Sequence, residues 1–153
     1  MITYQTCSSA ETKKLGERLA KKILARGTQK QAVVVGLSGG LGSGKTTFIQ
    51  GFFRGIGIGK RALSPTFIIM RRLELKNGKF KSLFHIDAYR LRKPKELLEL
   101  GLREALRGPE NVILIEWADK LKRVLPRNAI WVNFTHGKKE NQRTLRTSIP
   151  ICK

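Results

Sequence analysis

Ala32-Val33-Val34-Val35 leads through Gly36-Leu37-Ser38 into Gly39-Gly40-Leu41-Gly42-Ser43-Gly44-Lys45-Thr46, and this stretch decides the fold. The valine run is β-branched and too short for a helix, so it reads as a buried strand. After the glycines, Phe48, Ile49, Phe52 and Phe53 fall at helical core spacing, up to a Gly55-Ile56-Gly57-Ile58-Gly59 segment that ends the helix. Between strand and helix, the eight residues from Gly39 match G-x-x-x-x-G-K-[ST] in full, in the context a phosphate-binding loop requires. Glycines let backbone N–H groups turn inward around phosphate oxygens, where side chains would block the approach. The helix start adds the positive end of its dipole. Lys45 brings a mobile ammonium to the outer phosphates and Thr46 a hydroxyl for magnesium.

Upstream of this loop, Ser8-Ser9-Ala10-Glu11 has the form of a capping box, and Leu15, Leu19, Ile23 and Leu24 predict an amphipathic helix over about 11–25, ended by Gly27. Downstream, strands are expected at 67–75 and 80–87, joined at Asn77-Gly78 as a tight hairpin. In the second, Phe80, Ser82, Phe84 and Ile86 share one face and Leu83, His85 and Asp87 the other. Pro94 opens a leucine-rich helical stretch to about Arg107, with a kink at Gly101. Val112-Ile113-Leu114-Ile115 is another short buried strand, and 130–134 with 143–149 form a terminal hairpin around His136-Gly137. No repeat, low-complexity tract or linker divides the chain. The expectation is one α/β domain over 1–153, P-loop NTPase-like, with a central mixed sheet flanked by helices.

The composition narrows the class. At 153 residues the chain has the length of about one domain, and 41% hydrophobic content excludes a disordered tail protein. Cys7 and Cys152 stand near opposite ends with no Cys/His spacing, which excludes a disulfide scaffold or zinc module and fits a reducing compartment. No apolar run approaches the roughly 20 residues of a membrane span, and the first ten residues have no signal-peptide core. A cytoplasmic protein without a membrane partner is expected.

The formal charge is +20. Such a balance favours polyanionic partners such as nucleotides, RNA or anionic surfaces, and a basic exterior that is merely solvated is an equal alternative for most individual charges. The densest clusters are Lys21-Lys22 with Arg26, Arg71-Arg72, Arg90–Lys95 and Lys120–Arg127. Carboxylates are scarce where the loop lies: between Arg18 and Leu73 there are eleven Lys and Arg and no acid. The acid that a phosphate loop needs on its magnesium side must therefore come from later in the chain. Glu116 follows the buried Val112–Ile115 run, at the carboxyl end of a strand, where open α/β sheets bind ligands. Asp87 ends the alternating strand. These two acids are the candidates, and strand spacing leaves open which of them meets the metal. Structural salt bridges are the competing role for both.

Four segments then stand in a fixed order: Gly39–Thr46, Ser64-Pro65-Thr66-Phe67, His85-Ile86-Asp87-Ala88-Tyr89-Arg90-Leu91 and Leu114-Ile115-Glu116-Trp117. In this order they closely resemble the bacterial TsaE family (also called YjeE), small P-loop ATPases of tRNA threonylcarbamoyladenosine biosynthesis. The likeness runs from Glu11-Thr12 to the final hairpin. It implies Mg-ATP binding and hydrolysis in support of a TsaD–TsaB pair, which transfers a threonylcarbamoyl group to the adenosine beside the anticodon. Contact with tRNA would come through that complex. The resemblance maps the nucleotide loop onto Gly39, Gly40, Leu41, Gly42, Ser43, Gly44, Lys45, Thr46 and Thr47, with Thr12 nearby. It maps the magnesium ligands onto Thr46 and Glu116, and a water- or metal-organising acid onto Asp87. Lys45, Asp87 and Glu116 form the implied catalytic set, and Ser64 and Thr66 belong to an implied switch that senses the terminal phosphate.

One departure from the family stands out. Its loop usually reads Gly-Asp-Leu-Gly-Ala-Gly-Lys-Thr, whereas Gly40 stands here in place of the Asp and Ser43 in place of the Ala. Slower catalysis, or partial substitution by Ser38 for the missing carboxylate, is the expected consequence. His85 reads as structural or as an orienter of Asp87, and Trp117 as packing, with a place against the nucleotide base as the lesser alternative. Two other functions compete: a small-molecule or nucleoside kinase, since the loop alone serves transfer to an alcohol as well as to water, and a basic nucleic-acid module with a vestigial loop. The chain shows no room for a substrate subdomain and lid, and no RRM or KH motif.

Overall fold

The computed structural model describes residues 1–59, 69–76 and 78–152; the expected switch, Ser64–Phe67, and the turn residue Asn77 lie outside these. Seven strands join one mixed sheet: β1 (Ile2–Thr6), β2 (Val33–Ser38), β3 (Met70–Glu74), β4 (Ser82–Asp87), β5 (Asn111–Glu116), β6 (Ile130–His136) and β7 (Arg143–Thr147). Their order is β1-β7-β6-β2-β5-β4-β3. The central strands β6, β2, β5 and β4 run parallel, while β3, β7 and β1 pair antiparallel at the edges. The valine-rich β2 and β5 lie in the middle of the sheet, covered on both faces, which is why they read as unbroken apolar runs rather than alternating ones.

Helices α1 (Ser9–Arg26) and α2 (Lys45–Ile56) cover one face. Leu19, Phe48 and Phe52 pack there on Val33, Val35, Leu37, Leu83, Val112 and Leu114. The opposite face takes Val34, Ile86, Ile113 and Ile115 under α3 (Lys95–Glu99), α4 (Leu102–Arg107) and a short 3-10 helix, Ala118–Leu121. Strand parity therefore fixes where polar residues go: His85 and Asp87 share the side of Leu83, and Glu116 that of Leu114, so all three face the α1/α2 layer.

The N-terminus of α1 is capped as the sequence signals, with Ser8 Oγ accepting the N–H of Glu11 at 3.2 Å. The Glu11 carboxylate reaches back one residue further than a capping box predicts, to the N–H of Cys7 at 2.7 Å. Four other expectations are corrected. β1 has no counterpart in the sequence reading, because Ile-Thr-Tyr-Gln-Thr is a short, mostly exposed edge segment and acquires strand character only by pairing with β7. The helix expected from Pro94 to Arg107 breaks in two at Gly101, which has a left-handed φ of 100°. Phe80 precedes β4 and packs in the α1/α2 core with Leu83, so the alternation begins only at Ser82. β7 ends at Thr147 rather than at position 149. Among the described residues no helix is long and apolar enough to cross a membrane, and Cys7 and Cys152 are free thiols.

Candidate functional site

The carboxyl ends of β2 and β5 and the start of α2 converge on a cleft of about 250 Å³. Its floor is the glycine loop. Gly39, Gly42 and Gly44 have φ of 142°, 70° and 104°, values that L side chains rarely adopt. A Cβ at Gly39 would stand 2.6 Å from the carbonyl oxygen of Phe134 on β6, so the loop lies directly against the sheet. Gly44 is the N-cap of α2 and no side chain caps that helix, so its first turn faces the cleft open and with no acidic residue. His136 anchors the far side of the loop, its Nε2 lying 3.2 Å from the carbonyl oxygen of Leu41.

Lys45 is buried at 6% exposure. Its Nζ donates to the carbonyls of Gly39 (2.5 Å) and Gly40 (2.8 Å), approaches Ser43 Oγ at 3.4 Å, and lies 4.1 Å from the centre of the Trp117 ring. Burial pushes its ammonium below the usual lysine range, opposed by the charges of Glu116, Asp119 and Asp87. The strand-end acids come together as β4 and β5 dictate, since Asp87 and Glu116 are register partners on adjacent parallel strands. Glu116 is 9% exposed and lines the cleft. His85 Nε2 lies 2.9 Å from Glu116 Oε2, and its ring packs edge-on to Phe53. Of the two sequence readings of His85, a structural group or an orienter of Asp87, the second is corrected, since the carboxylate its ring meets is that of Glu116. Asp87 Oδ1 instead accepts the N–H of Tyr89 at 3.0 Å.

Leu41, Gly42, Ser43, Gly44, Thr46 and Thr47 line the cleft, with Ser43 only 1% exposed, whereas Gly39, Gly40 and Asp87 are not among its lining residues. Thr12 lines it as well, but its hydroxyl is committed to Thr6 Oγ1 (2.8 Å) and to the carbonyl of Ser8 (3.3 Å). The idea that Ser38 stands in for the absent loop carboxylate is corrected, because Ser38 Oγ hydrogen-bonds Asn133 Oδ1 on β6. At Gly40 itself an added Cβ would meet nothing within 4 Å, so the position has room for a side chain.

Sequence reasoning missed Asn141 and Arg143, and read Ser8 and Ser9, which also line the cleft, only as a helix cap. Asn141 lines the cleft from the β6–β7 connection and Arg143 from the start of β7, where Arg143 Nη1 donates to the carbonyls of Glu140 (2.5 Å) and Gln142 (2.8 Å). They lie nearly a hundred residues from the loop, and only the pairing of β2 with β6 brings them there. Trp117, read as packing, has a φ of 57°, the one positive value outside glycine among the described residues. That left-handed turn costs about 1–2 kcal/mol and returns the indole over Lys45 directly after Glu116.

A parallel-centred sheet with this loop between its middle strand and the following helix defines the P-loop NTPase-like class. The family model described as "Threonylcarbamoyl adenosine biosynthesis protein TsaE" matches residues 6–145. The chain belongs to the TsaE family of tRNA threonylcarbamoyladenosine biosynthesis. It is 35% identical to the Haemophilus influenzae TsaE over 123 residues, 80% of this chain and 75% of that one. To the Bacillus subtilis TsaE it is 34% identical, over 86% of this chain and 75% of the relative. The crystal structure of Bacillus subtilis YdiB superposes with a TM-score of 0.71 at 29% identity, covering 94% of this chain and 82% of that chain.

Proposed function

We propose that this chain binds Mg-ATP in the cleft and hydrolyses it, in the cytoplasm, in support of threonylcarbamoyl transfer to tRNA by a TsaD–TsaB-like pair. One observation carries the reading: a buried ammonium, an uncapped helix start and the strand-end acid Glu116 meet at one glycine cradle. A triphosphate supplies the charge that this cradle lacks. Lys45 would exchange the Gly39 and Gly40 carbonyls for phosphate oxygens, while the N–H groups of Gly39–Thr47 hold the chain of phosphates. The donor set fits magnesium. Among the described residues no group of three His, Cys, Asp or Glu side chains is poised for a metal. One hydroxyl and one carboxylate, completed by phosphate oxygens and water, is how Mg²⁺ is commonly held. Thr46 and Glu116 would hold the ion, which when bound neutralises charge on the outer phosphates. His85 keeps Glu116 aimed into the cleft, and Asp87, one strand over, orients the attacking water. Ser64 and Thr66 belong to the phosphate-sensing switch of this reading.

Incubation with γ-labelled ATP tests the proposal. Label released as inorganic phosphate, faster with the TsaD–TsaB pair present, is the expected result. Label transferred to a metabolite would instead identify a kinase.

A further inference from the structure

Two basic segments that are separate in the sequence meet in the fold. Arg90–Lys95 follows β4, and Lys120–Arg127 begins within the 3-10 helix after β5. Because β4 and β5 are neighbours, their exits lie side by side, and Lys120 Nζ hydrogen-bonds the carbonyl oxygen of Tyr89 across the gap. Between the segments runs a groove of about 270 Å³, lined by Leu91, Arg92, Lys93, Pro94, Lys120 and Leu121. Its floor is apolar, with Leu91 and Leu121 buried, while the lining cations Arg92, Lys93 and Lys120 are exposed, as are Lys95, Lys122 and Arg123 further along the same two segments. Three acids stand near. Glu96 is turned toward the backbone N–H groups of Arg92 and Lys93, Asp87 toward that of Tyr89, and Asp119 begins the 3-10 helix.

At the head of the groove Tyr89 is 46% exposed. Its ring leans against Trp117 at a 45° tilt with ring centres 5.0 Å apart, and Lys120 Nζ lies 5.6 Å from its centre. Trp117 in turn covers Lys45, so cation, two aromatic rings and cation form a continuous ladder from the phosphate loop to the groove.

We propose that this groove binds a single-stranded stretch of RNA, phosphates on the flanking Arg and Lys and one base on Tyr89. Cations along a track with an exposed ring at its end are what a nucleic-acid strand uses, backbone charge giving affinity and a π-face taking the base. An acidic protein would use the charges and leave the ring idle. The binding goes beyond the ATPase reading and does not depend on it, so it is measured without nucleotide.

The probe is a fluorescein-labelled 15-nucleotide single-stranded RNA, titrated by anisotropy over a range of salt concentrations. The combined variant Arg92→Ser, Lys93→Ser, Lys122→Ser, Arg123→Ser should flatten the slope of log affinity against log salt. The expected change is about 2.8, four contacts at about 0.7 each. Tyr89→Ala should weaken binding by roughly 5- to 150-fold at fixed salt. Lys14→Ser, Lys21→Ser, Arg26→Ser, which removes exposed charges from α1 on the opposite face, should change neither quantity. Thermal midpoints near wild type establish that the variants fold. The proposal is overturned if wild type fails to bind the RNA, or if the α1 variant flattens the slope as much as the groove variant. It is also overturned if polyglutamate of equal charge displaces the RNA as well as unlabelled RNA does, which would make the groove a seat for an acidic protein.

Discussion

Replacing Gly51 with alanine should loosen the joint that holds the cleft together. Gly51 lies inside α2, where an added Cβ would stand 1.8 Å from the carbonyl oxygen of Lys13 on α1. Gly16 and Gly55 make the same close approach, at 2.1 Å to the Phe48 carbonyl and 2.4 Å to that of Glu17. A carbon–oxygen contact needs about 3.3 Å, so the two helices must part by roughly 1.5 Å. Backbone meets backbone here, and no flexible side chain can yield. Overpacking of this kind costs about 3 kcal/mol, the upper part of its usual range. The better helix propensity of alanine returns about 1 kcal/mol. The net loss of about 2 kcal/mol lowers Tm by roughly 4–8 °C in a chain of this size. Because α1 brings Ser8, Ser9 and Thr12 to the cleft and α2 brings Lys45 and Thr46, parting them also widens the nucleotide site and raises the KM for ATP. Scanning calorimetry of Gly51→Ala beside Gly40→Ala, where the new methyl meets nothing within 4 Å, isolates the effect. A Gly51→Ala protein that melts with wild type would refute the packing argument.

The remaining predictions concern the site. Lys45→Met should weaken ATP binding by about a hundredfold or more while relieving a buried charge. Since burial depresses the Lys45 pKa in the fold, the unfolded chain holds more protons between that depressed value and the ordinary lysine value, and wild-type stability rises with pH across that window. The stability of the methionine variant relative to wild type should accordingly decline as pH climbs through the same window, and denaturant midpoints that move in parallel would contradict this. Glu116→Gln should make ATP binding less dependent on magnesium, whereas Asp87→Asn should leave binding intact and lower kcat; titration calorimetry with and without magnesium, together with phosphate release, separates the two, and the reverse pattern would exchange their roles. His85→Ala should shift magnesium dependence in the same direction as Glu116→Gln, because it removes the 2.9 Å contact that aims the carboxylate; an effect confined to thermal stability would make His85 structural only.

The loop from Gly39 to Thr46 was legible because its chemistry is local: glycine torsions, a helix start and a lysine are all written within eight residues. The strands β2 and β5 were legible for a similar reason, as runs of β-branched residues in the middle of a parallel sheet. What escaped depends on pairing between distant segments. β1 exists because β7 lies beside it, and Arg143 and Asn141 reach the cleft because β6 pairs with β2. The partner of His85 was likewise invisible, since residues two apart on one strand suggested Asp87 and only the β4–β5 register brings Glu116 within reach. Trp117 packs against the core as its aromatic identity suggests, but nothing in the sequence announces a backbone turned to a φ of 57° that also brings its ring over Lys45. The basic clusters were each visible, but not that two of them share one groove.

The central claim is that a buried lysine, an open helix start and Glu116 together hold Mg-ATP. Its most direct measurement is equilibrium binding of ATP by titration calorimetry, with magnesium and with the metal chelated, on wild type and on Lys45→Ala. Two charge-assisted contacts at about 1.5–3 kcal/mol each place the loss in the alanine variant between two and four decades at most. The account predicts one ATP per chain, tighter with magnesium, and binding in Lys45→Ala weakened by about a hundredfold or more. A folded wild-type protein that takes up no ATP, or a Lys45→Ala variant that binds it equally well, would contradict it.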